Sequence, residues 1–124
     1  MIYLFLKLTL MAQPQDYPLF NHWYQTTDWL LERCERMPKH TRFTVSGRMA
    51  NLALDTVELL LEAIYSRERK ELIKKINMKL EKLRFFNRLC KDRSYLSVTQ
   101  YEFLARAINE SGKMCGAWAK SSPS

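Results

Sequence analysis

Few side chains in this sequence have the type and spacing that covalent or acid–base chemistry needs. The two histidines, His22 and His40, lie one near a predicted helix start and one in a predicted turn. Glu58 and Glu62 stand four apart and share a helical face, but a carboxylate-bridged di-metal bundle needs Glu-x-x-His pairs on facing helices, and the sequence has none. They read better as solvated carboxylates or as partners for neighbouring cations. Cys34, Cys90 and Cys115 form neither a Cys-x-x-Cys pair nor a Cys/His cluster with zinc spacing, so they are expected to be small buried thiols in a reducing compartment. There is no glycine-rich phosphate loop, no G-x-S-x-G and no H-E-x-x-H. The expectation is a protein without catalytic residues, metal or cofactor: a binding protein and not an enzyme.

The remaining chemistry is electrostatic. The formal net charge is +7, and it is concentrated. Between Arg67 and Arg93 eleven Lys/Arg meet four Asp/Glu, while the nine basic and nine acidic residues outside that stretch cancel. A helix that is charged only for solubility usually interleaves Glu with Lys. A cationic excess of this size can instead collect a polyanion, with release of condensed counterions driving salt-sensitive binding. No helix-turn-helix, zinc finger or RNP aromatic motif is present, so base-specific reading is not implied. An acidic protein surface is the rival partner.

The elements that position these charges are helical. At 124 residues, with 47% hydrophobic and 27% charged residues, the chain has room for one modest core. Three glycines and four prolines are too few for a loop-rich or disordered protein. Period-three-and-four apolar patterns predict helices over about Tyr17–Arg36, Thr41–Tyr65, Arg67–Asp92 and Val98–Trp118. The core positions are Phe20, Trp23, Thr27, Leu30, Leu31 and Cys34 in the first; Met49, Leu52, Ala53, Leu60, Ala63 and Ile64 in the second; Leu72, Ile73, Ile76, Leu80, Leu83 and Cys90 in the third. Pro38 ends the first helix, and Ser97 with Gln100 forms a capping box for the fourth. The links at Met37–His40, around Ser66 and at Arg93–Ser97 are short, which makes sequential helices antiparallel. The fold class is all-α, an antiparallel up-down four-helix bundle over residues 16–120.

The ends fall outside that unit. Met1–Leu10 is an apolar run too short to span a bilayer, which needs about 20 residues, and it lacks the basic region and cleavage site of a signal peptide. Residues 1–15 read as an extension that is not part of the fold, 121–124 as a frayed tail, and the protein as cytoplasmic with no membrane contact.

Placed on a wheel at about 100° per residue, the third helix separates into faces. Opposite its core seam lie Met78, Phe85 and Leu89, a second apolar stripe that one bundle cannot bury and that predicts self-association. The consecutive Leu59, Leu60 and Leu61 cannot all face one core either. Lys75 and Lys82 occupy one flank, Lys70, Lys74, Arg84 and Arg88 the other, and Lys79 borders the core. On the fourth helix Ala105, Gly112, Gly116 and Ala119 form a narrow small-residue strip that invites close packing within or between subunits, and Trp118 is placed to close the end of the bundle.

Several segments resemble a known family. Arg42-Phe43-Thr44, Asn51-Leu52-Ala53-Leu54-Asp55 and Glu58–Ala63 are similar to the second helix of the accessory variability determinant (Avd) proteins of diversity-generating retroelements. The third helix adds Lys79–Phe86 and Arg88-Leu89 to the likeness. The fourth adds Leu96-Ser97, Gln100–Phe103, Gly112-Lys113-Met114 and Gly116-Ala117-Trp118, so the resemblance spans roughly Tyr17–Lys120. The four-helix proteins encoded in 23S rRNA intervening sequences are related in fold but typically carry an Ile-Ala-Glu-Gly-like stretch where this chain reads Leu-Glu-Ala-Ile-Tyr over Leu61–Tyr65, which favours Avd. The resemblance implies a non-enzymatic four-helix protein that assembles as a homopentamer with a basic surface. It further implies binding to the retroelement reverse transcriptase and to RNA or cDNA, in support of mutagenic reverse transcription. With the wheel, it assigns nucleic-acid or partner contact to Lys74, Lys75, Lys79, Lys82, Arg84, Arg88 and Lys91, and the oligomer interface to Met78, Phe85 and Leu89. The alternatives are a bundle docking an acidic protein, or an rRNA-binding protein of the intervening-sequence type.

Overall fold

Four helices form because four stretches each carry one continuous apolar seam, and a helix of this length is stable in water only when that seam is buried. In the computed structural model, which describes residues 13–122, they are α1 (Pro18–Arg36), α2 (Val45–Ile64), α3 (Arg69–Asp92) and α4 (Val98–Ser121). Sequential helices pack on one another, and α1 closes the ring against α4. The pairing is antiparallel throughout: Cys90 Sγ near the end of α3 lies 3.5 Å from Met49 Sδ near the start of α2, and Tyr17 just before α1 packs on Trp118 near the end of α4, ring centroids 5.5 Å apart.

The predicted seams are the core. Trp23 and Leu30; Met49, Leu52, Ala53, Leu60, Ala63 and Ile64; and Ile73, Ile76, Leu80, Leu83 and Cys90 are all buried. Leu72, Phe20, Leu31 and Cys34 are half-buried at the seam edges instead. Three polar side chains that enter the core are tied to backbone carbonyls, while the buried Thr27 and Ser111 hydroxyls have no hydrogen-bond partner among the described residues. Trp23 Nε1 donates to Ala53 O at 3.1 Å, and Thr56 Oγ1 to Leu52 O at 2.8 Å. Asn87 Nδ2 donates to Tyr101 O at 3.0 Å, tying α3 to α4.

The helix ends depart from the sequence pattern where tertiary contacts outweigh it. The segment expected to start α2 at Thr41 is instead a 3-10 turn, Lys39–Thr41, followed by a tight turn into Val45. Thr41 Oγ1 donates to Pro38 O and lies 3.0 Å from the Ser46 hydroxyl, and Thr44 N donates to Thr41 O, which satisfies the turn without helix. The turn folds so closely over α2 that a Cβ on Gly47 would overlap the Arg42 carbonyl, which explains a glycine in the first turn of a helix. Helix α3 begins at Arg69, not Arg67, because the Arg69 side chain turns back: Nε donates to Ala63 O at 2.9 Å and Nη2 to Ile64 O at 3.1 Å, while the guanidinium lies 4.8 Å from the Trp118 ring. The Ser97–Gln100 box is formed reciprocally at 3.1 and 3.0 Å. Helix α4 runs past Trp118 to Ser121, and Ser122 is buried with Oγ donating to Trp118 O at 2.7 Å. A 3-10 turn at Pro14–Asp16 precedes α1 and is held by Asn21 Nδ2 donating to Gln15 O at 2.8 Å. Residues 1–12, which hold the apolar Met1–Leu10 run, lie outside the described part.

Two turns give opposite stability expectations. Arg69→Ala removes a charged donor pair from buried carbonyls and a stack on Trp118, and should cost about 2 kcal/mol. At the other end Ser94 takes φ 61°, the left-handed cap position glycine fills without strain. Ser94→Gly should therefore stabilise by roughly 0.5–1 kcal/mol. Denaturant unfolding of both variants checks the pair, and equal midpoints would contradict it.

The thiols give a second expectation. Cys34, Cys90 and Cys115 are free, and burial pushes each up to about 11 from an ordinary value of 9, Cys34 also by its proximity to Cys90. A raised thiol stabilises the fold fully below its unfolded value and loses that contribution as pH climbs from 9 through 11. At pH 8 iodoacetamide should alkylate the native protein roughly 100-fold more slowly than the unfolded chain on thiolate fraction alone. Comparable rates would show that the thiols are not sequestered.

Candidate nucleic-acid interface

Helix α3 gives its seam to α2 and α4, so its cations emerge along two flanks and one outer face. Towards α2, Lys75, Lys79 and Lys82 line an open groove of about 500 Å³ together with Asp55, Glu58, Leu59, Glu62 and Met78. Lys79 Nζ lies 3.5 Å from Asp55 Oδ2, and Lys79 is half-buried. Three ammonium groups thus share the groove with three carboxylates. Glu58 and Glu62 line the same groove as these lysines. The groove is close to neutral overall.

Towards α4 and solvent the cations meet acids of their own helix. Lys74 Nζ is 3.2 Å from Glu71, Arg84 Nε is 3.1 Å from Glu81, Arg88 Nε is 3.8 Å from Asp92, and Lys91 Nζ is 3.6 Å from Asp92. Arg84 also reaches across to Asn109 Oδ1 and passes over Gly112, where an added Cβ would stand 3.5 Å from Nη2. Part of the small-residue strip on α4 is therefore used inside the bundle. Gly116 is different: nothing lies within 4 Å of the position a Cβ would take. Lys91 Nζ sits 4.6 Å from the centre of the Tyr101 ring.

Between the flanks the second apolar stripe faces outward. Met78 is 57% and Phe85 63% exposed, while Leu89 is half-buried. Phe85 stacks edge-on against Phe86, ring centroids 5.3 Å apart. A second hollow of about 500 Å³ continues along α2 and α3, lined by Phe85, Phe86, Lys82, Asn51, Asp55 and Arg48. Arg48 was not among the expected site residues, nor was Lys113, which shares a hollow with Arg84 and Asn109. Both lie outside the basic segment, so only the antiparallel pairing of the helices reveals them.

The remaining candidates for chemistry are accounted for by structure. His22 Nε2 is 3.1 Å from Ala107 O and His40 Nε2 3.3 Å from Tyr95 Oη. Among the described residues no group of His, Cys, Asp and Glu is placed to hold a metal ion, and no helix is long and apolar enough to cross a membrane.

No curated protein and no solved structure matches the chain. A family model described as bAvd-like matches residues 19–122, which takes in all four helices and both flanks of α3. The chain belongs to the bAvd-like family.

Proposed function

We propose that this protein is the non-enzymatic accessory subunit of a diversity-generating retroelement, binding the element's reverse transcriptase together with template RNA or cDNA through α3 and supporting mutagenic reverse transcription. Family membership points to the accessory role. The observation that carries the binding role is the placement of the entire net charge of +7 on a segment whose helix faces solvent along most of its length. Polymerase chemistry would belong to the partner. In this reading Lys74, Arg84, Arg88 and Lys91 contact phosphates most directly, because their acidic neighbours sit on the same exposed helix and such pairs contribute only about 0–1 kcal/mol each. Lys75, Lys79 and Lys82 share the groove with carboxylates of α2 and contribute less to phosphate contact. A cytoplasmic setting accords with three unpaired cysteines.

Self-association, as a homopentamer on the family's pattern, would cover Met78, Phe85 and Leu89 and repeat the cationic flanks around a symmetric ring. A docked acidic protein is the competing use of the same face.

RNA binding measured against salt checks the first part. The slope of log K on log[salt] should be negative by about 0.7 for each phosphate neutralised on a single strand. Lys74→Gln, Arg88→Gln and Lys91→Gln combined should flatten that slope by about 2. Lys75→Gln, Lys79→Gln and Lys82→Gln combined should flatten it less. A wild-type protein that does not bind at low salt, or binds with no slope, defeats the nucleic-acid reading. For assembly, light scattering at micromolar concentration should give a multimer that Met78→Asp with Phe85→Asp reduces to monomer while helicity persists. A monomeric wild type would refute the interface.

A further inference from the structure

Phe43 is the most solvent-exposed large hydrophobic side chain of those standing out from the bundle, 89% exposed. It is not on the face assigned above but on the turn between α1 and α2, at the end of the bundle where α3 finishes. The turn itself is cationic, although Glu35 shares a hollow with Lys39 and Arg42 and Arg36 Nη2 lies 3.3 Å from Glu32 Oε1. From Arg36 to Leu54 the chain has no Asp or Glu, while Arg36, Lys39, Arg42 and Arg48 carry positive charge. The neighbouring α3–α4 turn is joined to this one: Arg93 Nε donates to Tyr95 Oη at 3.0 Å, and His40 Nε2 lies 3.3 Å from the same oxygen, its ring edge-on to Tyr95. Arg88 and Lys91, in the last turns of α3, lead the cationic surface to that junction.

The turn presenting Phe43 is rigid. Thr41 Oγ1 bonds Pro38 O and Ser46 Oγ, Arg42 N bonds Lys39 O, Thr44 N bonds Thr41 O, and the Arg42 carbonyl is seated against Gly47. An exposed phenyl ring held on a stiff, acid-free turn gives nothing to folding. It does give a flat π-face at the end of a line of cations, the combination that binds an unpaired strand by stacking bases and neutralising phosphates. An acidic peptide would use the cations and leave the ring idle. A duplex would offer phosphates with its base faces already stacked.

We infer that Phe43, flanked by Lys39 and Arg42, is a stacking platform for an unpaired base of single-stranded nucleic acid whose backbone continues along the end of α3. This rests on the proposed nucleic-acid role and adds to it a site, a strandedness and a mode of contact.

Fluorescence anisotropy tests it, with a labelled unpaired RNA of about 12 nucleotides, the same strand in a duplex, and polyglutamate as competitor, over roughly 50–300 mM salt. Phe43→Ala should weaken binding of the unpaired strand by roughly 5- to 150-fold, the span of one lost base stack. It should leave the salt slope and duplex binding unchanged, because no phosphate contact is removed. Phe43→Trp should bind the unpaired strand at least as tightly as wild type. Since Phe43 is almost fully exposed, unchanged thermal unfolding should accompany both variants. If wild type binds with a salt slope and Phe43→Ala binds equally well, the platform is wrong and the phosphate-binding role stands. The platform is equally wrong if the loss is the same on duplex, or if polyglutamate competes charge for charge with RNA. A wild type that binds neither strand nor duplex at low salt defeats both proposals together.

Discussion

The last carbonyls of α2 have no amide within their own helix to bond, and the residues that follow, Tyr65 to Glu68, include no glycine to close the end with a left-handed turn. The guanidinium of Arg69 takes over that task, donating to Ala63 O and Ile64 O and stacking on Trp118 from α4. One side chain therefore joins the end of α2, the start of α3 and the end of α4. Because it is the first residue of α3, it also sets the rotation and register with which that helix enters the bundle. Lys75, Lys79 and Lys82 then face Asp55, Glu58 and Glu62, and Lys74, Arg84 and Arg88 point the other way. The arrangement of charge on the surface follows from a hydrogen-bonding need at a helix end.

That arrangement differs from the one a wheel of α3 alone supplies. A wheel counts cations on a helix and cannot see the carboxylates of its neighbour. Packed against α2, the groove flank holds three charges of each sign, so the positive potential shifts toward the α4 side and toward the end where the acid-free turn from Arg36 to Leu54 meets Arg93. Segment by segment the residues outside α3 cancel only on average. Six of their nine acids sit at Asp28–Glu35 and Asp55–Glu62, and the only charged residues between those clusters, Arg36, Lys39, Arg42 and Arg48, are basic.

What was legible in the sequence was what depends on local periodicity: four helices, the seams of α2 and α3, the Ser97–Gln100 cap, the outward Met78 and Phe85, and Trp118 closing one end. What was not legible depends on partners distant in the chain. Asn87 looks like a surface residue on a charged helix, yet it is buried because Tyr101 O across the α3–α4 interface accepts from it. The stretch Thr41–Thr44 fits a helical pattern but is held as turns by hydroxyls and by the Gly47 contact, which no propensity scale contains. Gly112 and Gly116 look alike on a wheel, and only the path of Arg84 separates them. Arg48 and Lys113 join the basic surface through helix pairing alone. The family resemblance read from scattered short segments agrees with the bAvd-like match over residues 19–122.

Five cations of α3, Lys74, Lys79, Arg84, Arg88 and Lys91, lie within 4.0 Å of a carboxylate, and the kind of pairing decides whether that charge is usable. Lys74–Glu71 and Arg88–Asp92 are one turn apart on the same helix, with all four side chains at least half exposed. In high dielectric such a pair is worth a few tenths of a kcal/mol, and its members can separate at little cost. A phosphate offers more oxygens in a fixed geometry and releases its own counterions on contact, so it can displace the carboxylate from either cation. Lys79–Asp55 is less easily opened, because Lys79 is half-buried and its partner sits on a different helix, where separating them also disturbs the α2–α3 packing. The distinction separates two kinds of cation within one stretch of basic sequence: those that hold the bundle together, with Arg69 and Lys79 among them, and those whose weak pairs within one exposed helix leave them open to the phosphate contact proposed for them.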